Sequence, residues 1–410
     1  MKDKKTRVIV SGAGPGGVIA AYVLAEKGVL VELHDKALFP RDKICGDALS
    51  GKVVEVLKQV APHCLDELRA FEKQIGSYGV HFFAPNKNSL RIPFKKAFSM
   101  QDPAPGFISK RLDFDNFLVE KLLKHPNIEF IQNSEITNYN RVENQLEVCF
   151  SNGNKQLADY VIGADGAHSK LAKFHGFKQV PKYYCAGIRA YYKGVEGMDI
   201  ENFIELHFLK DVLPGYFWIF PLPNGMANIG LGMRSDKISE KKINLKHLLN
   251  EIIENAPTIK DRFQNAELEG SVKGFGLPLG SVKRKLSGDN YLLIGDAASL
   301  IDPFTGEGIG NAMFSGKLAA ETICEAIAQN KTNADFLSKY DTLVYDRLWS
   351  ELKLSYTMQR LVKFPWLFNY VVNKASRNET LRDTISCMFE DIDLRQEFKK
   401  PSFYWKLLWN

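Results

Sequence analysis

Gly12, Gly14 and Gly17 stand at Gly-x-Gly-x-x-Gly spacing, between the apolar run "RVIVSG" and a stretch of small and apolar residues that stops at Gly28. In a strand–turn–helix setting each glycine has a task. Gly12 permits the tight turn, Gly14 lets the backbone, with Pro15 beside it, approach a pyrophosphate, and Gly17 lets helix and strand pack closely. The helix N-terminus offers free N–H groups and partial positive charge to the phosphates. Asp35 stands eighteen residues past Gly17, at the end of a second apolar run, "VLVELHD". An acid there accepts hydrogen bonds from the ribose hydroxyls of a dinucleotide. Glu32 and Asp42 compete for that task, but Glu32 lies inside the strand and Asp42 too far beyond it. The pattern points to dinucleotide binding without separating FAD from NAD.

Three distant segments make that choice. "YLLIGDAASLIDPFTGEGIGNA" ends an apolar strand at Gly295-Asp296 and opens a glycine loop before a small-residue helix. "YVIGADGAHSKLAKFHG" sets Asp165-Gly166 after another strand, and "SKRLDFDNFL" carries Arg111 and Asp115 at R-x-x-F-D-x-x-L spacing. Together with the first fingerprint, and in this order, they resemble the flavin hydroxylase superfamily. The resemblance implies FAD, with Asp296 on the ribityl chain and Arg111 near the ribityl or phosphate region. It also implies that the loop with Pro303, Gly306, Gly308 and Ile309 presents backbone N–H groups to the pyrimidine edge. Lys36, Arg41, Cys45, Gly46 and Ile136 complete the cofactor-binding set.

Two further segments narrow the family. "FPRDKICGDALS" follows the second strand, and "GYFWIFPLPNGMANIGLG" holds Tyr216-x-Trp218-x-Phe220-Pro221, then eight residues, then Gly230-x-Gly232. Both resemble the geranylgeranyl reductase family, whose members saturate isoprenoid double bonds with reduced FAD. An isoprenoid chain has few polar handles, so its pocket must be a long apolar groove with aromatic walls. Tyr183, Tyr184, Tyr191, Tyr192, Phe203, Phe208, Tyr216, Phe217, Trp218 and Phe220 are candidates, although sheet core is the better reading for any single one. Tyr216 and Trp218 share one strand face and are the expected pocket wall. The implied reaction is hydride transfer to one alkene carbon and protonation of the other. Cys45, a tyrosine or water could supply the proton. Arg41 and Lys43 beside Cys45 would favour a thiolate, while a pocket-lining role by backbone alone is the alternative. Cys45, Tyr216 and Trp218 are thus the catalytic candidates. NADPH or a separate reductase is the expected electron source.

Competing readings use the same motifs. An FAD-dependent monooxygenase hydroxylating an aromatic or polyketide substrate shares the fold. A flavin halogenase would need a lysine-bearing glycine segment near residues 70–110, and an electron-transfer quinone dehydrogenase would need an iron–sulfur cysteine cluster; neither is visible. A non-catalytic flavin sensor has no use for the substrate segment.

The elements that must position these groups read as an α/β fold. A Rossmann-like FAD-binding domain (1–75, 101–180 and 286–330) is expected to interleave with an antiparallel-sheet substrate domain (76–100 and 181–285). Residues 331–410 form a helical, aromatic-rich segment. Phe364, Trp366, Phe368 and Tyr370 recur at period two around Pro365, not as a clean helical stripe. That segment and the terminal "FYWKLLWN" suggest an aromatic and basic surface for peripheral membrane contact or a cap over the substrate groove. The chain has 410 residues with a net charge of +6, spread without a basic stripe, and no nucleic-acid partner is expected. No apolar run reaches transmembrane length and none resembles a signal peptide, so a cytoplasmic protein that opens its fold at the N-terminus is expected. The six cysteines are scattered without C-x-x-C spacing, which argues for reduced thiols and no metal site.

Overall fold

A computed structural model describes residues 6–95, 99–378 and 382. The terminal "FYWKLLWN" lies outside the described residues.

The first fingerprint forms β1 (Val8–Ser11), a turn, α1 (Pro15–Glu26) and β2 (Val31–His34). Both strands are short and their apolar side chains buried, as parallel strands covered on two faces must be. Pro15 opens α1, where its missing N–H costs nothing and its fixed φ suits the first turn. Later in the chain come α2 (Arg111–Leu122), which carries the arginine motif, and β3 (Tyr160–Gly163). The substrate segment supplies β4 (Tyr184–Lys193), β5 (Tyr216–Leu222) and β6 (Met226–Arg234). Then follow β7 (Tyr291–Leu293), α3 (Ile309–Ala328), α4 (Lys339–Leu361) and α5 (Pro365–Arg377).

One six-stranded sheet runs Ser287–Gly288, β7, β3, β1, β2, Ile128–Ile131, parallel throughout except at the Ser287–Gly288 edge. A seven-stranded sheet runs Glu267–Pro278, β4, β6, β5, Ile204–His207, Gly79–Phe83, Ser89–Pro93. It is antiparallel except where Gly79–Phe83 pairs parallel with Ile204–His207. Among the described residues, two three-stranded sheets complete the β structure. This is the mixed α/β architecture the sequence implies.

α1 and α3 touch almost backbone to backbone. A Cβ on Gly16 would lie 2.6 Å from the Ala312 carbonyl oxygen, and one on Gly316 2.3 Å from that of Gly16. Only glycine admits this approach, and it brings both helix N-termini to one side of the parallel sheet.

The aromatic spacing around Pro365 differs from the period-two reading. Pro365 is the first residue of a helix, with Phe364 just before it. Phe368 turns inward, its ring 4.5 Å from that of Phe208, while Trp366 and Tyr370, four apart, face outward at 69% and 49% exposure. Among the described residues no helix is long and apolar enough to cross a membrane.

Candidate active site

A cavity of about 1290 Å³ lies where the parallel strands end and one face of the seven-stranded sheet begins. Gly12, Asp35, Ala164 and Ile294 follow β1, β2, β3 and β7 directly, and all line it. Ligands bind open α/β sheets at the carboxyl ends of the strands. From the other sheet come Ile188, Leu206, Tyr216, Trp218 and Phe220. The cofactor-binding and catalytic candidates, Lys36 and Ile136 included, reach this one space, whereas Pro303 of the second glycine loop and Asp115 do not line it.

The three fingerprint glycines do different work. Gly12 has φ +106°, and a Cβ there would lie 2.5 Å from the Ala164 carbonyl oxygen. On Gly17 it would lie 1.9 Å from the Gly12 carbonyl oxygen. On Gly14 it would meet only Arg41 Nη2, at 3.9 Å. Gly12 and Gly17 are therefore demanded by the fold, whereas Gly14 leaves space open to the cavity. Asp35 accepts the Ala13 N–H and the Ala37 N–H, both at 2.8 Å. Two carboxylate oxygens offer about four acceptor sites, so these bonds aim the group without exhausting it.

Arg111 grips Asp115 with two bonds, 2.6 and 2.7 Å, and Arg41 adds a third at 2.8 Å. Burial alone would raise the Asp115 carboxyl, but the two guanidinium groups hold it below the ordinary range. Two cations share one anion, so the cluster presents net positive charge to the cavity. Lys43 reaches across to Asp296 at 2.9 Å and ties the loop after β2 to the second glycine loop. The N-terminus of α3, beginning at Ile309 after Gly308, opens on the same space.

The aromatic motif has a register explanation. β5 and β6 pair so that Tyr216 lies opposite Gly232 and Trp218 opposite Gly230. A Cβ on Gly230 would stand 2.3 Å from Trp218 Cζ2, so that glycine is the seat on which the indole lies. The eight residues between the motif's halves are the length of this hairpin. Tyr216 donates its hydroxyl to the Thr305 carbonyl at 2.5 Å, fastening the sheet to the second glycine loop. Phe217 and Ile219 point to the opposite face, into a cluster with Leu249 and Ile252. Of the wider aromatic set, only Tyr216, Trp218 and Phe220 line the cavity. The rest are core or surface, as the plainer reading has it.

The thiolate expectation for Cys45 is corrected. Burial pushes the thiol up, against the opposing pull of Arg111 and Lys43. Arg41 and Lys43, which suggested a thiolate, spend their charge on Asp115 and Asp296 instead. Cys45 therefore holds its proton.

Sequence reasoning passed over Asp47 and Asn228, each inside a quoted motif. Asp47 is fully buried and accepts the Tyr191 hydroxyl at 2.7 Å and an Asn228 N–H at 2.8 Å. Burial raises its carboxyl to about 6, with Tyr191, Arg189 and Asn228 opposing. For Asn228 the available signal was a polar residue at an inward position of an apolar strand; Asp47, in the loop before Ala48–Leu49, had none. Glu307 was passed over too; it caps α3 by accepting the Gly310 N–H at 2.7 Å.

The donor set fits FAD. Two helix N-termini, an acid at the end of β2, a net-positive guanidinium cluster and the open side of Gly14 converge on one cavity. That cavity exceeds the usual range of about 300–1,000 Å³ for one small ligand, leaving room for a substrate beside the cofactor. Among the described residues no group of His, Cys, Asp and Glu could hold a metal ion.

Comparison with known proteins follows the same division. The FAD binding domain family matches residues 5–191, and the geranylgeranyl reductase catalytic domain family matches residues 186–272. Digeranylgeranylglycerophospholipid reductase 2 of Methanopyrus kandleri is 31% identical over 385 residues, covering 90% of this chain and 87% of the relative. Menaquinone reductase of Mycobacterium tuberculosis is 27% identical, covering 88% and 85%. A solved geranylgeranyl bacteriochlorophyll reductase-like protein of Thermoplasma acidophilum superposes with a TM-score of 0.79 at 23% identity, covering 96% of this chain and 99% of that one.

Proposed function

The chain belongs to the geranylgeranyl reductase family of FAD-dependent oxidoreductases, and on that premise we propose that it saturates carbon–carbon double bonds in the isoprenoid chains of a membrane lipid. The observation that carries this reading is the cavity. It passes without interruption from the glycine loops to an aromatic wall of Tyr216, Trp218 and Phe220.

Reduced FAD, when bound, supplies the hydride from its N5. The chain's own residues do the rest. Gly12, Gly14, Pro15, Gly17, Asp35 and Lys36 hold the adenosine and pyrophosphate. Arg41, Arg111, Asp296, Gly306, Gly308 and Ile309 hold the ribityl chain and the ring edge, with Gly46 and Ile136 closing the pocket. Tyr216 and Trp218 press the alkene into one plane and exclude water, because an unactivated alkene accepts hydride only when held in attack geometry. Cys45 holds a proton at Sγ for the second carbon. Arg111 lies close enough to favour the thiolate that remains.

A quinone side chain is the second substrate reading, favoured by the menaquinone reductase relative. The monooxygenase alternative loses support, because residues 186–272 match a reductase catalytic domain. NADPH or a partner reductase supplies the electrons. The outward face of α5 rests on the membrane that carries the substrate. Phe364, Trp366 and Tyr370 are exposed beside Lys363, Lys374 and Arg377, and α5 carries no acidic residue.

The deciding experiment reduces the FAD-loaded protein anaerobically and mixes it with a digeranylgeranyl phospholipid or a menaquinone. A mass gain of two hydrogens per double bond supports the reading; no reoxidation by either substrate defeats it. Vesicle flotation tests the membrane face: binding to phosphatidylglycerol vesicles that Trp366→Ser/Tyr370→Ser abolishes is expected. No binding by the wild-type chain refutes it.

A further inference from the structure

Asn228 is a fully buried amide near the start of β6, and it uses both of its N–H groups and its oxygen. Its Oδ1 accepts the Trp218 indole N–H at 2.9 Å. Its Nδ2 donates to Asp47 Oδ2 and to the Cys45 carbonyl, each at 2.8 Å. Asp47 is held in turn by the Tyr191 hydroxyl at 2.7 Å and the Arg111 backbone N–H at 3.3 Å. Tyr191 is itself covered by the Arg189 guanidinium, 4.0 Å from the ring centroid.

A polar group in such a place is dearer than a hydrocarbon of the same shape unless every bond is made. Once made, the bonds admit one arrangement rather than several. Gly230 fixes the height of the indole, but contact with a flat ring leaves its rotation free. The N–H bond to Asn228 removes that freedom. The same amide grips the loop that bears the thiol. One side chain therefore sets the separation between the aromatic wall and Cys45.

We infer that Asn228, braced by Asp47, is a positioning residue that locks the Trp218 ring and the Cys45 loop in register, so that an alkene meets both in a single orientation. This rests on the reductase reading above. Asn228 and Asp47 are not catalytic residues, since they act through Trp218 and Cys45.

The test compares Trp218→Phe, Asn228→Ala and their double variant, all as FAD-loaded full chains. Turnover of a digeranylgeranyl phospholipid is measured under excess reductant. Affinity for its saturated product is measured without turnover, from the visible spectrum of the oxidised flavin. Each single variant is expected to lose kcat by about tenfold while product affinity changes by less than about twofold. The double variant is expected to be no worse than the poorer single, because both cut the same link. A merely structural role would instead lower flavin retention and affinity together, with losses that multiply. Independent losses, or wild-type kcat in either single variant, overturn the inference. If Asn228→Ala fails to hold flavin, Trp218→Phe decides alone, and unchanged kcat there overturns it. If the wild-type chain reduces no isoprenoid, the proposed function fails instead.

Discussion

Replacing Gly230 with alanine tests the register explanation of the aromatic motif. The new Cβ would stand 2.3 Å from Trp218 Cζ2 and 2.2 Å from the Ile188 carbonyl oxygen. Carbon atoms in contact settle at about 3.5–4.0 Å, so the indole must withdraw by more than about 1 Å. The carbonyl cannot yield equally, because β4 is paired on both sides, to β6 and to Glu267–Pro278. The ring is therefore pushed outward into the cavity. Overpacking of this kind costs about 1–3 kcal/mol, and an immobile backbone on one side puts the expected loss near the upper end. Thermal unfolding of the FAD-loaded protein should show a lowered melting temperature. Affinity for a saturated isoprenoid lipid, read from flavin absorbance, should fall about tenfold if about 1.4 kcal/mol of the strain is felt in the cavity. A variant that melts and binds like the wild type would refute the seating of Trp218 on Gly230.

Gly12→Ala and Gly14→Ala should separate fold from cofactor. The first should destabilise even the flavin-free chain, because it meets backbone at 2.5 Å, whereas the second should leave apo stability unchanged and weaken FAD binding; equal apo stabilities of the two variants would contradict this. Asp47, raised from 3.8 to about 6, keeps a proton in the folded state that the unfolded chain releases, so its contribution to stability declines as pH rises between about 4 and 6. Asp47→Asn should therefore gain on the wild type by about 2 kcal/mol between pH 4 and pH 7 in urea denaturation, and parallel pH curves would count against it. Cys45→Ser should bind FAD normally but lose most of its turnover; full turnover would remove the proton-donor role.

The parts of this molecule legible in its sequence were those fixed by local spacing. Strand, glycine turn and helix at residues 8–26 announce themselves because the turn needs glycine at set intervals. Tyr216 and Trp218 fall on one face because a strand has period two. What stayed hidden depended on long-range register. Asn228 and Asp47 are 181 residues apart, and only the docking of the seven-stranded sheet against the loop after β2 brings them together. The Cys45 expectation failed for a related reason. Neighbouring basic residues were visible, but their partners at Asp115 and Asp296 were not. At α5, the period-two spacing of aromatics around Pro365 did not show that the proline is the first residue of a helix.

The glycine contact between α1 and α3 has a consequence for how the protein is made. Gly16 and Gly316 lie about three hundred residues apart, so the nascent chain leaves its first fingerprint waiting through most of synthesis. The part of the cavity lined by the first fingerprint can form early, but the part lined by the start of α3 cannot exist until that helix has been translated and docked. Flavin capture is then a late event, after α3 has emerged from the ribosome. Chains truncated before α3 should accumulate without the yellow colour of the holoprotein, however much FAD is supplied.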